Sequence, residues 1–262
     1  MQDSEFFYHE GLLDCRKWQD LGLVHGFAGL PADFRHDRAA ASLTALCAKH
    51  GLSQLLLPEQ THSCRVIEAA SLEDYRRLVC AGQSASPRPE ELQGDAIIVQ
   101  TQADTAGGAM AIGVTTADCV PLLLLTGGLR AVIHAGWRGI SSGIIDECVL
   151  RLQEAGGSAE SLEAVIGPCA GCALYEVGSE VSDCLGDRGV FRRDSDGRLF
   201  LDLAASCEQN LRKAWKGQAT IRTSRVCTIS DKGFHSYRRD GHRSGRNLAF
   251  ITLGKLLNGK CK

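Results

Sequence analysis

Short aliphatic runs set the hydrophobic pattern of this chain, and most of them are bounded by glycine, proline or polar residues. Runs of this length and composition predict β-strands. The segments that fit are Gln54–Leu57, Arg65–Glu68, Ala96–Gln100, Met110–Val114, Val120–Leu125, Leu129–His134, Ala164–Ile166 and Arg225–Ile229.

Three longer segments instead place apolar residues at helical spacing. They are residues 37–50, 142–155 and 202–217. Gly51 is a good stop for the first helix, and Asp202 is a good N-cap for the third. Predicted helices and strands interleave, while neighbouring strands can also pair as hairpins. The pattern therefore favours a mixed α/β (α+β) fold over a purely parallel, doubly wound sheet.

The two consecutive strands on either side of Gly127–Gly128 form a predicted hairpin, because this glycine pair tolerates positive φ. With a two-residue loop, Cys119 faces Gly136 across the hairpin, and Cys119 and His134 occupy diagonal positions on one face. Diagonal neighbours lie about 7–8 Å apart at Cα, which is close enough to share an ion or a hydrogen bond. Both residues are at the open end of the hairpin, where a cleft can form.

On the hairpin alone, the simpler explanation is that Cys119 is a buried thiol and His134 a strand histidine, and the alternative is a functional site. Two neighbours favour a functional site: Asp118 directly precedes the cysteine, and Arg138 follows the histidine in "HAGWRG". A metal needs a third ligand, and His62 in "LPEQTHSCRV" is the best candidate. One cysteine and two histidines would hold Zn²⁺ and leave a fourth position open for water. The spacing of these residues matches no short zinc motif.

An arginine-rich segment, "KGFHSYRRDGHRSGR" at residues 232–246, is a second candidate for chemistry. It is either a solvated basic loop or an anion pocket in which Arg238, Arg239 or Arg246 binds phosphate through paired donors. Arg138 could contribute, because it lies in a glycine-rich link from a strand into a helix, whose N-terminus favours anions. The few aromatic residues in the segment and the net charge of −2 argue against nucleic-acid binding.

Two further motifs leave alternatives open. "GISSG" at residues 139–143 matches a nucleophile elbow with Asp231 and His235 as downstream partners, but the "GWR" that follows the strand favours a plain helix start. Cys169 and Cys172 form a Cys-x-x-Cys motif, which fits a redox pair, two buried thiols or the wall of a pocket.

Composition and charge describe an ordinary globular protein. The chain has 262 residues, of which 44% are hydrophobic and 23% charged, and this suits a single compact domain over residues 1–262. The stretch 80–94, rich in Ser, Pro, Gly and Gln, is predicted to be a surface loop. The acidic N-terminus lacks a signal-peptide pattern and no apolar run could cross a bilayer, so we expect a cytoplasmic protein with no membrane partner. The 12 cysteines are then expected to be mainly reduced thiols.

Several segments of the sequence together resemble one known family. In chain order they are "EQTHS", "GDAIIVQT", "TTADCVPLLL", "HAGWRG", "IGPCAGCALYEVG" and "HSYRRDGHRSGR". They fall roughly within Val24 to Thr252 and resemble the YfiH-like, laccase-domain (polyphenol oxidase) family. The resemblance implies a mixed α/β sandwich with two central mixed sheets flanked by helices. It also implies that His62, Cys119 and His134 bind a single zinc ion.

The resemblance further implies an enzyme that acts on purine nucleosides. Family members are described as purine nucleoside phosphorylases that use phosphate to convert adenosine, inosine and S-methyl-5′-thioadenosine to the free base and ribose 1-phosphate or its methylthio form. They are also described as deaminating adenosine to inosine. Tyr175 and Glu176 are implied to contact the substrate, and Asp118 is a candidate for moving a proton.

Three alternatives remain open. An amidase proposed within the same family, acting on the cell-wall precursor UDP-muramoyl-serine, would use Cys119 as its nucleophile and His134 as its base. A metal-binding protein without catalysis would show no turnover. A single Cu²⁺ could replace Zn²⁺ on the predicted ligands. Multi-copper oxidase chemistry is not expected, because it needs many histidines in His-x-His pairs, whereas this chain has 8 histidines and no such pair.

Overall fold

A computed structural model describes residues 5–35, 38–84, 90–101, 109–157 and 161–254 of the chain. The strands within these ranges are β1 (Phe6–His9), β2 (Leu12–Cys15), β3 (His25–Ala28), β4 (Leu52–Leu56), β5 (Val66–Ala69), β6 (Ala96–Gln100), β7 (Ala109–Thr116), β8 (Val120–Thr126), β9 (Leu129–Ala135), β10 (Ser161–Ile166), β11 (Glu176–Val177), β12 (Phe191–Arg193), β13 (Leu199–Leu201), β14 (Gln218–Thr223) and β15 (Asn247–Thr252). The helices are α1 (Arg16–Asp20), α2 (Ala39–His50), α3 (Leu72–Ser84), α4 (Trp137–Ser141), α5 (Ile144–Glu154), α6 (Ser179–Leu185), α7 (Leu203–Ala214) and α8 (Tyr237–Asp240). Short 3₁₀ helices cover Glu90–Leu92, Gly186–Arg188 and Gly241–Arg243.

Two 6-stranded sheets dominate the fold, and each mixes parallel and antiparallel pairing. The first sheet has the order β1-β2-β3-β15-β7-β4, and its β4–β7 pair is parallel. The second sheet has the order β14-β10-β8-β9-β6-β5, with parallel pairs at its two edges. A 3-stranded sheet, β11-β13-β12, completes the topology. The predicted mixed α/β architecture with two central sheets is therefore confirmed.

The two large sheets face each other across a shared hydrophobic core. Ile112 and Ala249 of the first sheet and Leu123 and Val132 of the second sheet belong to this core. The other face of the second sheet packs against α5 and α7, and the other face of the first sheet packs against α2. Because both faces of the central strands are buried, their aliphatic runs are nearly continuous. The layers are therefore helix, sheet, sheet and helix.

The central hairpin of the second sheet forms as predicted. β8 and β9 pair in antiparallel fashion, with Pro121 directly opposite His134. Gly127 and Gly128 have φ angles of 50° and 83°, so both occupy the left-handed region that a tight hairpin turn requires. The register places Cys119 and His134 at the same end of the hairpin, away from the turn.

The three predicted helices are present with shifted ends. α2 ends where Gly51 adopts a left-handed conformation with φ of 63°, while the predicted first residue of this helix, Asp37, lies outside the described residues. Asp202 caps α7, since its Oδ1 accepts a hydrogen bond from the Ala205 amide at 2.9 Å. The helix predicted from residue 142 begins at α5, after a left-handed residue, Gly143, that separates it from α4. None of the described helices is both long and apolar enough to span a membrane.

Two of the predictions are corrected by the structure. Residues 225–229 do not form a strand, because Arg225 has a φ angle of 54° and turns the backbone, while β14 lies directly before this segment. The segment predicted as a loop, 80–94, begins inside α3, which continues to Ser84. Its end carries a 3₁₀ helix whose Leu92 is fully buried, and residues 85–89 lie outside the described part of the chain.

Candidate metal centre

Three side chains from separate parts of the chain converge at the open end of the β8–β9 hairpin. His62 lies in the loop after β4, Cys119 lies in the turn between β7 and β8, and His134 lies near the end of β9. One potential ligand atom from each residue lies within 4.8 Å of the other two. The backbone is left-handed at His62 and at Asp118, with φ angles of 58° and 90°. Such strained positions persist where the surrounding structure holds them in place, and here they orient the His62 imidazole and the Cys119 thiol.

The donor set of this group fits a single divalent metal ion. One thiolate and two imidazoles are ligands that both Zn²⁺ and Cu²⁺ accept. The rings of His62 and His134 meet edge to face, with their centroids 4.8 Å apart. His134 is buried, whereas His62 is exposed, so one side of the group is open. Three protein ligands with an open side are typical of catalytic rather than structural zinc sites.

Asp95, a fully buried residue directly before β6, organises two of these three donors. Its Oδ1 lies 2.8 Å from His134 Nδ1 and accepts the His62 amide at 3.0 Å. Its Oδ2 accepts the amides of Thr61 and Ser63 at 3.2 and 2.7 Å. A carboxylate at Nδ1 fixes the histidine ring with that nitrogen as the donor, which leaves Nε2 available to a metal.

The hairpin spacing gives no indication of Asp95, although a signal is present in the sequence. Asp95 is an acidic residue placed immediately before the wholly apolar start of β6, "AIIV". Ala96 pairs with Ile133 across the β6–β9 ladder, which puts Asp95 beside His134. Once β9 is known to be the partner strand of β6, the charged residue directly before β6 therefore predicts the contact between Asp95 and His134.

Burial and neighbouring charges together set the protonation of the group. Burial raises the pKa of the Cys119 thiol, but the charge and hydrogen bond of His134 outweigh it and lower that pKa to about 6. Burial lowers the pKa of His134, but the charge of Cys119 and the hydrogen bond to Asp95 raise it to about 9. Against the effect of its own burial, the hydrogen bond from His134 lowers the pKa of Asp95 to about 2. The directions of these shifts favour a Cys119 thiolate beside a protonated His134 in the metal-free group, and the thiolate is the form that binds metals and acts as a nucleophile.

Asp118, the residue before Cys119, is a structural anchor in this arrangement. Its Oδ1 accepts the Thr228 hydroxyl at 2.6 Å, and its Oδ2 accepts the Arg238 amide at 2.6 Å. Its backbone carbonyl accepts the Ala170 amide at 2.9 Å. These bonds hold the turn that presents Cys119 to the cleft. The predicted movement of a proton by Asp118 would require one of the carboxylate bonds to exchange.

A cleft of about 1350 Å³ lies over the three donors. The guanidinium of Arg138 stacks on the Trp137 ring at 4.4 Å, and that of Arg238 stacks on the Tyr175 ring at 4.7 Å. Stacked in this way, both cations are held at the cleft wall by their aromatic partners. The predicted residues that line the cleft are His62, Asp118, Cys119, His134, Arg138, Tyr175, Arg238 and Arg246.

Arg239 and Glu176, also predicted at the site, are not among the residues that line this cleft. The Arg239 guanidinium donates to the carbonyls of Thr228 and Phe234, each at 2.8 Å, and pairs with Asp240. These bonds stabilise the loop before α8 and use the donors that phosphate would need. Glu176 is exposed in β11, and its backbone carbonyl accepts a hydrogen bond from the Arg238 guanidinium at 2.7 Å. Its contribution is to position Arg238.

The nucleophile elbow suggested by residues 139–143 does not form. The Ser141 hydroxyl donates to the Cys184 carbonyl at 2.7 Å. His235, its suggested partner, has its Nε2 2.8 Å from the Ala32 carbonyl. The serine therefore belongs to the end of α4, where it contacts the last turn of α6.

Gly136 provides the space that the Cys119 sulfur occupies, which leads to a first prediction. A Cβ atom at this position would lie 2.7 Å from Cys119 Sγ, inside van der Waals contact. Gly136 has φ of −83° and ψ of 169°, so alanine is not strained in the backbone and the effect is purely steric. We expect Gly136→Ala to displace the thiolate and weaken zinc affinity about 10–100-fold, as measured by competition with a chromogenic chelator.

Gly139→Ala is the matched control for this substitution. Its Cβ would meet its nearest neighbour at an ordinary 3.4 Å, and the residue lies in α4 beside the same site. The control should bind zinc as the unchanged protein does. Equal zinc affinity in the Gly136→Ala and Gly139→Ala variants would contradict the placement of the Cys119 sulfur.

Fold and site together define a mixed α/β sandwich that carries an open cysteine and two-histidine group at a cleft. The chain belongs to the family described as multi-copper polyphenol oxidoreductase laccase, which matches residues 32–254. The resemblance to the YfiH-like, laccase-domain family is thereby confirmed.

Curated relatives of the chain carry the names of purine nucleoside enzymes. The chain is 36% identical over 213 residues to adenosine deaminase RL5 from an unknown prokaryotic organism, a match that covers 76% of this chain and 75% of the relative. It is 33% identical over 206 residues to a purine nucleoside phosphorylase of Aquifex aeolicus, covering 78% of this chain and 85% of the relative.

Two solved structures share the fold. YlmD from Geobacillus stearothermophilus superposes with a TM-score of 0.80 at 24% identity, covering 95% of this chain and 98% of that one. The Bacillus licheniformis protein YfiH superposes with a TM-score of 0.77 at 22% identity, covering 95% of this chain and 99% of that one. At this identity the likeness concerns the sandwich architecture alone.

Proposed function

We propose that the protein is a zinc-dependent purine nucleoside enzyme. It would cleave adenosine, inosine and S-methyl-5′-thioadenosine with phosphate, and would deaminate adenosine to inosine. The observation that carries the proposal is the open group of His62, Cys119 and His134 at the base of the cleft. Relatives named adenosine deaminase and purine nucleoside phosphorylase support the choice of substrate.

In this proposal His62, Cys119 and His134 hold the zinc ion, and Asp95 fixes the orientation of His134. Bound zinc supplies Lewis acidity and lowers the pKa of water towards neutrality. The mutual interaction of Cys119 and His134 lowers the pKa of the thiol and raises that of the imidazole, so metal uptake would release its proton from His134 rather than from sulfur. A single Cu²⁺ on the same donors is the alternative metal, since it also favours nitrogen and sulfur ligands.

The cleft wall supplies the groups that would bind the substrates. Arg138, Arg238 and Arg246 line the cleft and can neutralise phosphate, the nucleophile of phosphorolysis. Burial raises the pKa of Tyr175 to about 12, so its hydroxyl stays protonated at neutral pH and can donate a hydrogen bond to the nucleoside. The exposed ring of Tyr237 adds an aromatic surface against which a purine base can stack.

Product analysis of adenosine incubated with purified, zinc-loaded protein tests this function. Without phosphate we expect inosine, and with phosphate we expect adenine and ribose 1-phosphate together with inosine and the hypoxanthine formed by its phosphorolysis. Chromatography separates all of these products in one run. Clean, zinc-loaded protein that yields neither adenine nor inosine would overturn the nucleoside assignment.

One observation favours a second function, a cysteine amidase. Cys119, His134 and Asp95 form a chain of nucleophile, base and orienting carboxylate, and the Asp95–His134 distance is 2.8 Å. In this reading the Cys119 thiolate attacks an amide such as that of UDP-muramoyl-serine. Treatment with a chelator separates the two functions, because a zinc enzyme loses activity and regains it with added Zn²⁺, whereas the amidase keeps its turnover.

A further inference from the structure

A pair of cysteines, Cys169 and Cys227, lies outside the metal centre and is used by neither proposed function. Cys169 and Cys227 pair directly in an isolated parallel bridge. The Cys169 amide donates to the Val226 carbonyl at 3.2 Å, and the Thr228 amide donates to the Cys169 carbonyl at 2.9 Å. These two hydrogen bonds hold the two backbones at strand spacing on either side of Cys227.

The bridge satisfies the backbone geometry of a disulfide. Neighbouring strands lie about 4.7–4.9 Å apart, and Cα atoms joined by disulfides lie about 4.4–6.8 Å apart. Directly paired residues of a ladder also project their side chains to the same side of it. Cys169 and Cys227 can therefore be joined with little movement of the backbone.

The sulfur of Cys227 lies in a nest of hydrogen-bond donors. The Gly171 amide donates to Sγ at 3.2 Å, and the amides of Ser230 and Ile229 also contact the sulfur. A Cβ atom on Gly171 would lie 3.0 Å from Sγ, so the glycine permits this approach. Cys227 is half-buried and reachable from solvent, whereas Cys169 is 5% exposed. Burial raises the pKa of Cys227, but the hydrogen bonds that converge on its sulfur stabilise the thiolate. The net effect is that the pKa of Cys227 is lowered.

We propose that Cys227 and Cys169 are an oxidisable thiol pair that reacts with hydroperoxides to form an intramolecular disulfide. Cys227 is the reacting thiolate, because its sulfur is both accessible and hydrogen-bonded. Cys169 is the resolving thiol, because the bridge holds it opposite Cys227. The sequence motif Cys169-x-x-Cys172 points to a different partner, but the Cys172 thiol is hydrogen-bonded to Asp202 instead.

The reaction balances with a hydroperoxide as the only oxidant. The Cys227 thiolate attacks the peroxide, an S–O bond forms, the O–O bond breaks, and the departing oxygen takes a proton to leave as water or alcohol. The Cys169 sulfur then attacks the sulfenic acid of Cys227. An S–S bond forms, the S–O bond breaks, and the leaving hydroxide takes the Cys169 proton as water. The two thiols lose two electrons and the peroxide gains them.

The position of the pair places it one residue away from the contacts that hold the metal-binding turn. Ala170 follows Cys169 and donates its amide to the Asp118 carbonyl at 2.9 Å. Thr228 follows Cys227 and donates its hydroxyl to the Asp118 carboxylate at 2.6 Å. The disulfide would therefore form next to both contacts that anchor Asp118, the residue before the cleft residue Cys119.

Peptide mapping of zinc-loaded protein tests the proposal independently of any nucleoside activity. The protein is exposed to a few equivalents of hydrogen peroxide, free thiols are alkylated, and trypsin is applied without reductant. Cys227 falls in the peptide 226–232, and Cys169 falls in the peptide 152–188 together with Cys172 and Cys184. We expect the linked pair to rise at least about tenfold over untreated protein and to disappear with dithiothreitol, with fragment ions that assign the bond to Cys169.

Matched variants identify the partners. Cys172→Ser should leave the link intact, whereas Cys169→Ser should abolish it and leave a sulfenic acid on Cys227 that dimedone traps. If Cys169→Ser fails to fold, Cys227→Ser is the substitute, because it changes a half-buried residue. It should abolish the link in the same way. The proposal is overturned if the bond joins Cys227 to Cys172 or Cys184. It is equally overturned if the exposed thiols of Cys64 and Cys184 oxidise while Cys227 stays reduced.

Discussion

Cys119→Ala is expected to abolish zinc binding and to lower the rate of adenosine conversion by at least about 10³-fold, because the lost metal removes several kcal/mol of transition-state stabilisation. The substitution deletes the one thiolate of the group and leaves two histidines, which hold zinc weakly. Bound zinc, measured by mass spectrometry of the metal after gel filtration, should fall from about one ion per chain to a small fraction.

A fall in activity alone would not separate loss of metal from loss of a nucleophile, so the control has two parts. Cys184→Ala removes an exposed thiol that does not line the cleft and should leave zinc content and activity unchanged. Cys119→His replaces the thiolate with a neutral donor and should recover part of the zinc without restoring a sulfur nucleophile. Zinc content of Cys119→Ala equal to that of the unchanged protein would remove Cys119 from the ligand set.

The part of the site that is local in sequence could be predicted, and the part that depends on long-range contacts could not. The parity of one hairpin is enough to place Cys119 near His134, because a two-residue glycine turn fixes the register. His62 lies 57 positions before Cys119 in the sequence. It is therefore suggested as a ligand only because a metal needs a third donor and because of the family resemblance. Neither the hairpin register nor the need for a third ligand predicts Asp95, because its role follows from the pairing of β6 with β9.

The fold shows the same division between local and distant information. The aliphatic strands of the second sheet are recognisable because both of their faces are buried. Strands β1, β2 and β3 are four residues each and include charged or polar positions, so their pattern is too short to separate from a loop. The error at residues 225–229 has a local cause as well, because an aliphatic run is interrupted by the left-handed backbone of Arg225.

The arginine-rich segment illustrates what composition cannot decide. Arg238 and Arg239 are adjacent in the sequence and chemically identical, yet one lies on the cleft and the other stabilises a loop. α8 turns by about 100° per residue, so consecutive side chains must point in different directions. The backbone conformation, rather than the residue type, therefore selects the arginine available to an anion.

Asp95→Asn is expected to weaken zinc affinity about 10–100-fold, the usual cost of losing the carboxylate behind a metal-binding histidine. Both Asp95 oxygens accept hydrogen bonds, from His134 and the His62 amide on one side and from the Thr61 and Ser63 amides on the other. An asparagine must present its NH₂ group to one of these sets of donors. It therefore either releases the His134 ring or opens the loop that carries His62.

The pH dependence of stability distinguishes this role from simple loss of packing. The pKa of Asp95 is lowered to about 2 in the fold, so its ionised form stabilises the protein above the unfolded-state pKa of about 4 and that stabilisation is lost as the pH falls towards 2. Compared with the unchanged protein, the Asp95→Asn variant should be less stable at neutral pH. Its stability should also fall less as the pH is lowered. Differential scanning calorimetry of metal-free protein across this pH range measures the change.

Asp14→Asn is the matched control, because Asp14 is another buried aspartate with the opposite electrostatics. Burial raises its pKa to about 7, and its Oδ1 has no hydrogen-bond partner, so the ionised form is disfavoured in the fold. A neutral asparagine should be tolerated at this position or should even stabilise the protein above pH 7, with zinc affinity unchanged. If both substitutions cost the same stability and neither changes zinc affinity, Asp95 acts as a buried polar residue and not as the group that positions His134.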